Sequence, residues 1–443
     1  MKKPIVAVVG RPNVGKSTLF NALCGENLSI VKDTPGVTRD RIYADCEWQK
    51  HSFTLIDTGG IEPDSDDVIL RQMREQAEIA VETADVILFM VDVKTGVTDA
   101  DYTVADMLRR SKKPVLLCVN KVDSFKKQVN DTYEFYNLAM GDPYPISSAG
   151  KQGIGDMLDA LVAHFPEADA EEEEDDRPRI AVIGRPNVGK SSIINRLIGE
   201  NRLIVSDVAG TTRDAVDAVV KHNGEEYVFI DTAGLRRKSK IKEDIERYSI
   251  IRTVSAVDRC NIAVIVIDAS QGITEQDTHI AGIAHERGKG AIILVNKWDA
   301  VEDKNDKTIY KFTEEIRRKF AFMPYADILF VSALTGQRLV KLYDEIDLVR
   351  QNQNLRIQTG VLNDILTEAT AMHEPPQDKG KRLRLYYTAQ VSVNPPTFVI
   401  FVNDRELFHF SYLRYIENRF REAFGFNGTP VHFIIRERKE KDQ

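Results

Sequence analysis

The sequence predicts an α/β protein: two tandem copies of a doubly wound, mostly parallel sheet domain, then a smaller α+β domain. Three observations carry that reading. The octapeptide Gly10-Arg11-Pro12-Asn13-Val14-Gly15-Lys16-Ser17 returns unchanged as Gly184-Arg185-Pro186-Asn187-Val188-Gly189-Lys190-Ser191, an offset of 174. Short β-branched runs alternate with helical patterns through both copies, as in a parallel sheet covered by helices on both faces. Beyond Leu355 that alternation stops and a different order of strands and helices begins.

Element by element, Ile5–Val9, Phe53–Ile56, Val86–Val91 and Val115–Val119 read as buried parallel strands of the first copy. Further repeats fix the extent of the second. Gly36-Val37-Thr38-Arg39-Asp40 becomes Gly210-Thr211-Thr212-Arg213-Asp214, and Asp57-Thr58-Gly59-Gly60 becomes Asp231-Thr232-Ala233-Gly234, both at the same offset of 174. Asn120-Lys121-Val122-Asp123 matches Asn296-Lys297-Trp298-Asp299 at 176, and Ser147-Ser148 matches Ser332-Ala333 at 185. In the second copy Ile309, Phe312, Ile316 and Phe320 predict a helix over 308–320 with one buried face. The copies are placed at 1–166 and 179–350. The segment 167–178 between them holds Asp169-Ala170-Glu171-Glu172-Glu173-Glu174-Asp175-Asp176, too acidic to bury, and reads as a solvated linker. The third domain, 355–443, is predicted to run helix (361–372), strand (382–393), strand (397–402), helix (411–424), strand (431–435).

Composition narrows the function classes. The 443 residues suggest about three domains. With 42% hydrophobic and 29% charged residues, there is apolar material for several cores. Lys plus Arg total 60 against 68 Asp plus Glu, a net charge of -8, which excludes the overall basic character of a protein that coats nucleic acid. Cys24, Cys46, Cys118 and Cys260 form no CxxC pair and have no His at metal spacing, which excludes a zinc ribbon or disulfide scaffold and fits a reducing cytosol. The longest apolar runs, Val86–Val91 and Ile262–Ile267, are of strand length, well short of the ~20 residues of a membrane span. Ile5–Val9 is too short for a secretory signal. No membrane segment and a cytoplasmic location are therefore expected.

The repeated motifs are those of a nucleotide site. G-x-x-x-x-G-K-S between a strand and a helix is a phosphate-binding loop, whose backbone N–H groups cradle phosphates. Lys16 and Lys190 would sit on the β/γ-phosphates, and Ser17 and Ser191 would ligate Mg²⁺. Asn-Lys-x-Asp at a strand end selects the base: the carboxylates of Asp123 and Asp299 can each accept two hydrogen bonds from N1–H and the exocyclic amine of guanine. Asn120 and Asn296 would tie the base loop to the site, and the stems of Lys121 and Lys297 would cover the base plane. Asp57 and Asp231 are candidates to hold Mg²⁺ through water, Gly60 and Gly234 to offer an N–H to the γ-phosphate, and Thr38 and Thr212 to supply a second hydroxyl to the metal. The backbone of Ser147-Ser148 and Ser332-Ala333 would meet guanine O6.

This set of motifs resembles the Era-like branch of the translation-factor-related P-loop GTPases, and the tandem order with a small C-terminal domain resembles the Der (EngA) family over nearly the whole chain. The resemblance implies a cytoplasmic, ribosome-associated GTPase acting in assembly of the large ribosomal subunit. It also implies a KH-like third domain. Ile61 and Leu235 stand where Ras-like enzymes carry a water-orienting Gln. In relatives with that replacement a phosphate-loop Asn holds K⁺ beside the β/γ-phosphates. The resemblance thus points to Asn13 and Asn187 as K⁺ ligands and to K⁺-stimulated hydrolysis. A monomer is expected. An RNA-modification GTPase and a nucleotide-gated scaffold with one silent module stay open beside this reading.

The third domain carries 13 Lys plus Arg against 11 Asp plus Glu, a net of +2, so the first 354 residues carry -10. Lys379-Gly380-Lys381-Arg382-Leu383-Arg384 is a basic cluster, equally consistent with rRNA contact and with protein docking. Gly425-Phe426-Asn427-Gly428 has the spacing of a nucleic-acid clamp but precedes the last strand instead of joining two helices, and reads as a turn.

Overall fold

A computed structural model of the chain describes residues 3–27, 43–57, 78, 80, 81, 83–124, 129–165, 177–200, 217–230, 245–301, 305–378 and 381–438. The chain divides into two compact units. The first carries the N-terminal sheet and also takes in residues 245–258, and the second carries the second sheet and the third domain.

In the first unit β1 (Ile5–Gly10), β2 (Tyr43–Trp48), β3 (His51–Asp57), β4 (Val86–Asp92), β5 (Val115–Asn120) and β6 (Pro143–Pro145) form one sheet in the order β2-β3-β1-β4-β5-β6. All neighbours are parallel except β2 with β3. The four runs predicted as strands all lie in it. β1 and β4 are buried along their whole length because helices cover both faces, which is why their sequences show no alternation. Val6, Val8, Leu55, Leu88 and Met90 pack on one face with Leu19 of α1 (Lys16–Asn27) and Leu158 of α3 (Ile154–Ala163). Between them in sequence lies α2 (Asp99–Ser111), opened by a capping box of Thr98 and Asp101.

The second unit repeats the plan. Its strands are β7 (Arg179–Ile183), β8 (Ala218–His222), β9 (Glu225–Ile230), β10 (Ile262–Asp268), β11 (Gly290–Asn296) and β12 (Asp327–Phe330). They stand in the order β8-β9-β7-β10-β11-β12, again with one antiparallel pair at the edge. The edge hairpin turns at Asn223-Gly224, both at positive φ (50° and 91°), which only such residues adopt without cost. Its α4 (Lys190–Glu200) follows the phosphate loop and its α6 (Glu275–Glu286) opens with a capping box of Thr274 and Asp277, whereas α5 (Ile245–Arg259) falls with the first unit as far as Asp258. The helix expected over 308–320 is α7 (Asp306–Lys319), which starts two residues earlier because Asn305 accepts from Thr308 N at 3.0 Å and caps it. α8 (Lys341–Gln353) closes the module.

The third domain has α9 (Thr359–Met372) and α10 (Phe410–Phe424) on one face of a three-stranded sheet, where Leu362, Leu366, Phe398, Ile400, Ile416 and Phe420 form the core. The single strand expected over 382–393 is corrected to two pieces. A two-residue strand β14 (Lys381–Arg382) pairs with β13 (Gln377–Asp378), and only then does β15 (Leu385–Ser392) begin. Leu383 turns into the core (1% exposed) with its N–H on Pro376 O, which breaks the period of two. β16 (Thr397–Val402) pairs antiparallel with β15 and parallel with β17 (His432–Glu437).

The Gly425–Gly428 turn seats this domain on the second module. Gly428 N donates to Tyr325 O and Gly428 O accepts from Ala291 N, both at 2.7 Å. A Cβ on Gly428 would lie 2.1 Å from Val349 Cγ2, and its φ of 72° already demands glycine. Around it Arg421 lies over the Tyr325 ring (4.9 Å to the centroid), and His285 Nδ1 is 2.9 Å from the Tyr325 hydroxyl.

Burial, with His432 and Arg421 adding positive charge nearby, pushes the His285 pKa down to about 4. The unfolded chain protonates this ring near 6.5, so the stability it contributes is whole above pH 6.5 and is lost as pH falls toward 4. The loss expected over that window is on the order of 3 kcal/mol, and His285→Gln should flatten it in urea titrations run from pH 7 to 4.5.

Candidate functional site

Each site lies at the carboxyl ends of the strands where the strand order reverses, β1 being flanked by β3 on one side and β4 on the other. β1 runs straight into the phosphate loop. Asn13 and Asn187 share a left-handed φ of 63°, a conformation asparagine tolerates better than most residues. Gly15 and Gly189 follow at 99° and 101°, and a Cβ on either would stand 2.3 Å from the amide nitrogen of Asn120 or Asn296. Lys16 and Lys190 open the helices and fold back on the loop. Lys16 Nζ donates to Gly10 O and Arg11 O at 2.7 Å, and Lys190 Nζ to Gly184 O at 2.7 Å and Arg185 O at 2.6 Å. Burial pushes both lysines down to about 8, opposed by Asp57 in the first module and Asp277 in the second. A phosphate brought to the loop would give each buried cation the counter-charge that burial lacks.

Ser17 Oγ donates to Asp57 Oδ2 at 3.0 Å, so a hydroxyl and a carboxylate oxygen converge beside the loop. Those are the hard oxygen donors Mg²⁺ takes, and the pair fits the ion. Ser191 holds the corresponding position on α4. Thr38, Thr58, Gly59, Gly60, Ile61, Thr212, Asp231, Thr232, Ala233, Gly234 and Leu235 lie outside the described residues.

At the ends of β5 and β11 the base loop is tied in. Asn120 Nδ2 donates to Val14 O at 2.7 Å, while its Oδ1 accepts from Ser148 N and Ser148 Oγ, both at 2.9 Å. Asn296 Nδ2 donates to Val188 O at 2.8 Å, and its Oδ1 accepts from Ala333 N at 2.9 Å. The backbone N–H of Ser148 and that of Ala333 thus donate to the equivalent asparagine in the two modules. Val122 and Trp298 are buried under their loops. Asp123 is exposed. Its Oδ1 accepts from Ser147 Oγ at 3.1 Å and its Oδ2 from Lys94 Nζ at 2.7 Å, with Lys94 first in holding this carboxyl below its ordinary range. Asp299 is half-buried, and its Oδ1 has no hydrogen-bond partner among the described residues.

Three sets of partners to motif residues, which the motif reading passed over, complete the frame. Arg11 Nε donates to Asp101 Oδ1 at 2.9 Å, and Arg185 Nε to Asp277 Oδ1 at 2.8 Å. These carboxylates are buried, and each also serves the capping box of its helix. The signal was present in Thr98-x-x-Asp101 and Thr274-x-x-Asp277, a capping box repeated at the Asn-Lys-x-Asp offset of 176. Asp92 and Asp268, at the ends of β4 and β10, pair with Lys121 and Lys297 at 2.7 and 2.6 Å. Lys94 is the third.

Two modules that each join a phosphate loop to an Asn-Lys-x-Asp base loop define a tandem P-loop GTPase. A family model described as 50S ribosome-binding GTPase matches residues 5–121 and 179–297. Another, described as the C-terminal KH-domain-like region of EngA bacterial GTPase enzymes, matches residues 356–436. The chain is 70% identical over 442 residues to GTPase Der of Lachnospira eligens and to GTPase Der of Lachnoclostridium phytofermentans, covering 100% of each chain. It is 66% identical to that of Agathobacter rectalis over the same span. The chain thus belongs to the EngA family and is a GTP-hydrolysing enzyme.

Removing one partner of a buried ion pair leaves the other charged and unpaired. Asp277→Ala is expected to destabilise the second module by about 3 kcal/mol, read as a shifted urea midpoint.

Proposed function

We propose that the chain is a two-site GTP switch acting in assembly of the large ribosomal subunit, monomeric and cytoplasmic, with hydrolysis stimulated by K⁺. The domain limits that belong to this reading are 1–166, 179–350 and 355–443, with 167–178 as linker. The match of both modules to a ribosome-binding GTPase family, joined to an EngA-type third domain, is the observation that carries it.

Within each site the phosphate loop binds the β- and γ-phosphates through its N–H groups, with Lys16 or Lys190 as the positive charge. Ser17 with Asp57, and Ser191 with Asp231, would hold Mg²⁺, which when bound would neutralise charge on the phosphates. Thr38 and Thr212 would add a hydroxyl to it, and Gly60 and Gly234 an N–H to the γ-phosphate. Asp123 and Asp299 read guanine. Since Ile61 and Leu235 offer attacking water no hydrogen bond, the remaining lever is charge at the leaving side. Asn13 and Asn187, held in the same left-handed turn, would present oxygen to a monovalent cation there.

The RNA-modification alternative finds little support in the three described thiols. Cys46, Cys118 and Cys260 are buried, and burial pushes Cys118 up to about 12, far from a thiolate nucleophile.

Replacing KCl by NaCl is expected to slow GTP turnover by about tenfold or more, and Asn13→Ala with Asn187→Ala to abolish the difference. Purified chain should pellet with large ribosomal subunits in K⁺ buffer with a non-hydrolysable GTP analogue, and far less with GDP or without nucleotide. Equal pelleting in all three would favour the RNA-modification reading.

A further inference from the structure

Among the differences between the two base sites, one lies directly on the guanine-reading carboxylate. β4 runs into Asp92-Val93-Lys94-Thr95-Gly96, and β10 into Asp268-Ala269-Ser270-Gln271-Gly272. Lys94 and Ser270 are thus equivalent, both exposed, and anchored alike: the backbone N of each donates to the preceding aspartate, Asp92 or Asp268, at 2.9 Å. From there the Lys94 ammonium reaches Asp123 Oδ2 at 2.7 Å, while the Ser270 hydroxyl bonds Asp268 Oδ1 at 2.6 Å. Ser147 occupies the other oxygen of Asp123. Asp299 Oδ1 has no partner among the described residues.

We propose that Lys94 is a built-in competitor for the guanine-reading Asp123, so that the first module binds guanine nucleotides more weakly than the second. This rests on the reading of Asp123 and Asp299 as the guanine-selecting residues. Guanine brings two N–H donors to this carboxylate, and in the first module they must displace or share with an ammonium and a hydroxyl already there. In the second module the donors meet a buried oxygen that has no partner among the described residues, which favours their arrival. Both members of the Lys94–Asp123 pair are about half exposed (53% and 54%), so the competition is that of a surface ion pair. It amounts to about two- to fivefold in affinity at low salt, and it is screened away at high salt. The second module would then fill first as guanine nucleotide rises, and the first would respond over a higher concentration range.

The test uses the full chain and titrates fluorescent GDP at low and high KCl. Asp299→Asn silences guanine binding in the second module and leaves the first as reporter; Asp123→Asn does the reverse. In the first background Lys94→Ser should lower the GDP Kd about two- to fivefold at 50 mM KCl, with the gain vanishing near 0.5 M. In the second, Ser270→Lys should raise the Kd by a similar factor. The gain from Lys94→Ser should be smaller for inosine diphosphate, which lacks the exocyclic amine and makes one fewer bond to Asp123. An unchanged or higher Kd in Lys94→Ser would overturn the inference while leaving the guanine assignment intact. Guanine binding that survives both Asp123→Asn and Asp299→Asn would overturn that assignment, and the inference with it.

Discussion

In each GTPase module a single buried amide, Asn120 or Asn296, holds the phosphate loop and the base loop in one frame. Its nitrogen takes a carbonyl of the phosphate loop and its oxygen takes the N–H of Ser148 or Ala333. Much else follows from that bridge. Gly15 and Gly189 lack side chains because the amide stands where a Cβ would be. The strand carrying the asparagine must end level with its neighbour, and the pairing Asp92↔Asn120, repeated as Asp268↔Asn296, achieves this. Those aspartates then anchor Lys121 and Lys297 of the base loops. On the far side, Asp101 and Asp277 pin the arginine of the phosphate loop to a helix cap. Loops make the site, yet buried hydrogen bonds fix the loops.

Much of the fold was legible because burial on two faces writes itself as unbroken β-branched runs. Ile5–Val9 and Val86–Val91 could hardly be anything else once a second copy repeated them. The edge strands Tyr43–Trp48 and Ala218–His222 were not read. One face of an edge hairpin meets solvent, so its sequence is mixed; only Asn223-Gly224 announced the second one. The third domain's first long strand was misjudged at its start, since Leu383 leaves the strand to enter the core and composition does not reveal that. At the site, the motifs located the phosphate and base loops, whose chemistry requires particular side chains at fixed spacing. The residues that position those loops went unread. Asp101, Asp92 and Lys94 act through contacts between segments 29 to 90 residues apart (Arg11 with Asp101, Lys94 with Asp123), which no local window captures.

The third domain shows how a motif can be reused. The Gly-x-x-Gly spacing that elsewhere grips a nucleic-acid backbone is here a protein-to-protein seat, with both glycines at positive φ and Gly428 pressed on Val349. The basic residues of this domain are distributed differently. Arg421 is folded inward onto Tyr325, Phe426 O and Thr429 O, whereas Arg382 and Arg384 stay at the surface. Counting positive charges would have treated all three alike.

β11 joins these two themes. Its first residues receive the seat of the third domain through Ala291, and its last residue is Asn296. Seven residues of fully paired strand, about 23 Å long, therefore run like a rod from the domain seam to the nucleotide frame. Tension or heat applied to the seam cannot be absorbed by a flexible joint before it reaches the base loop. The second module and the third domain should accordingly melt in one transition, and a load on the third domain would be felt, through that rod, at Asn296 and the base loop it holds.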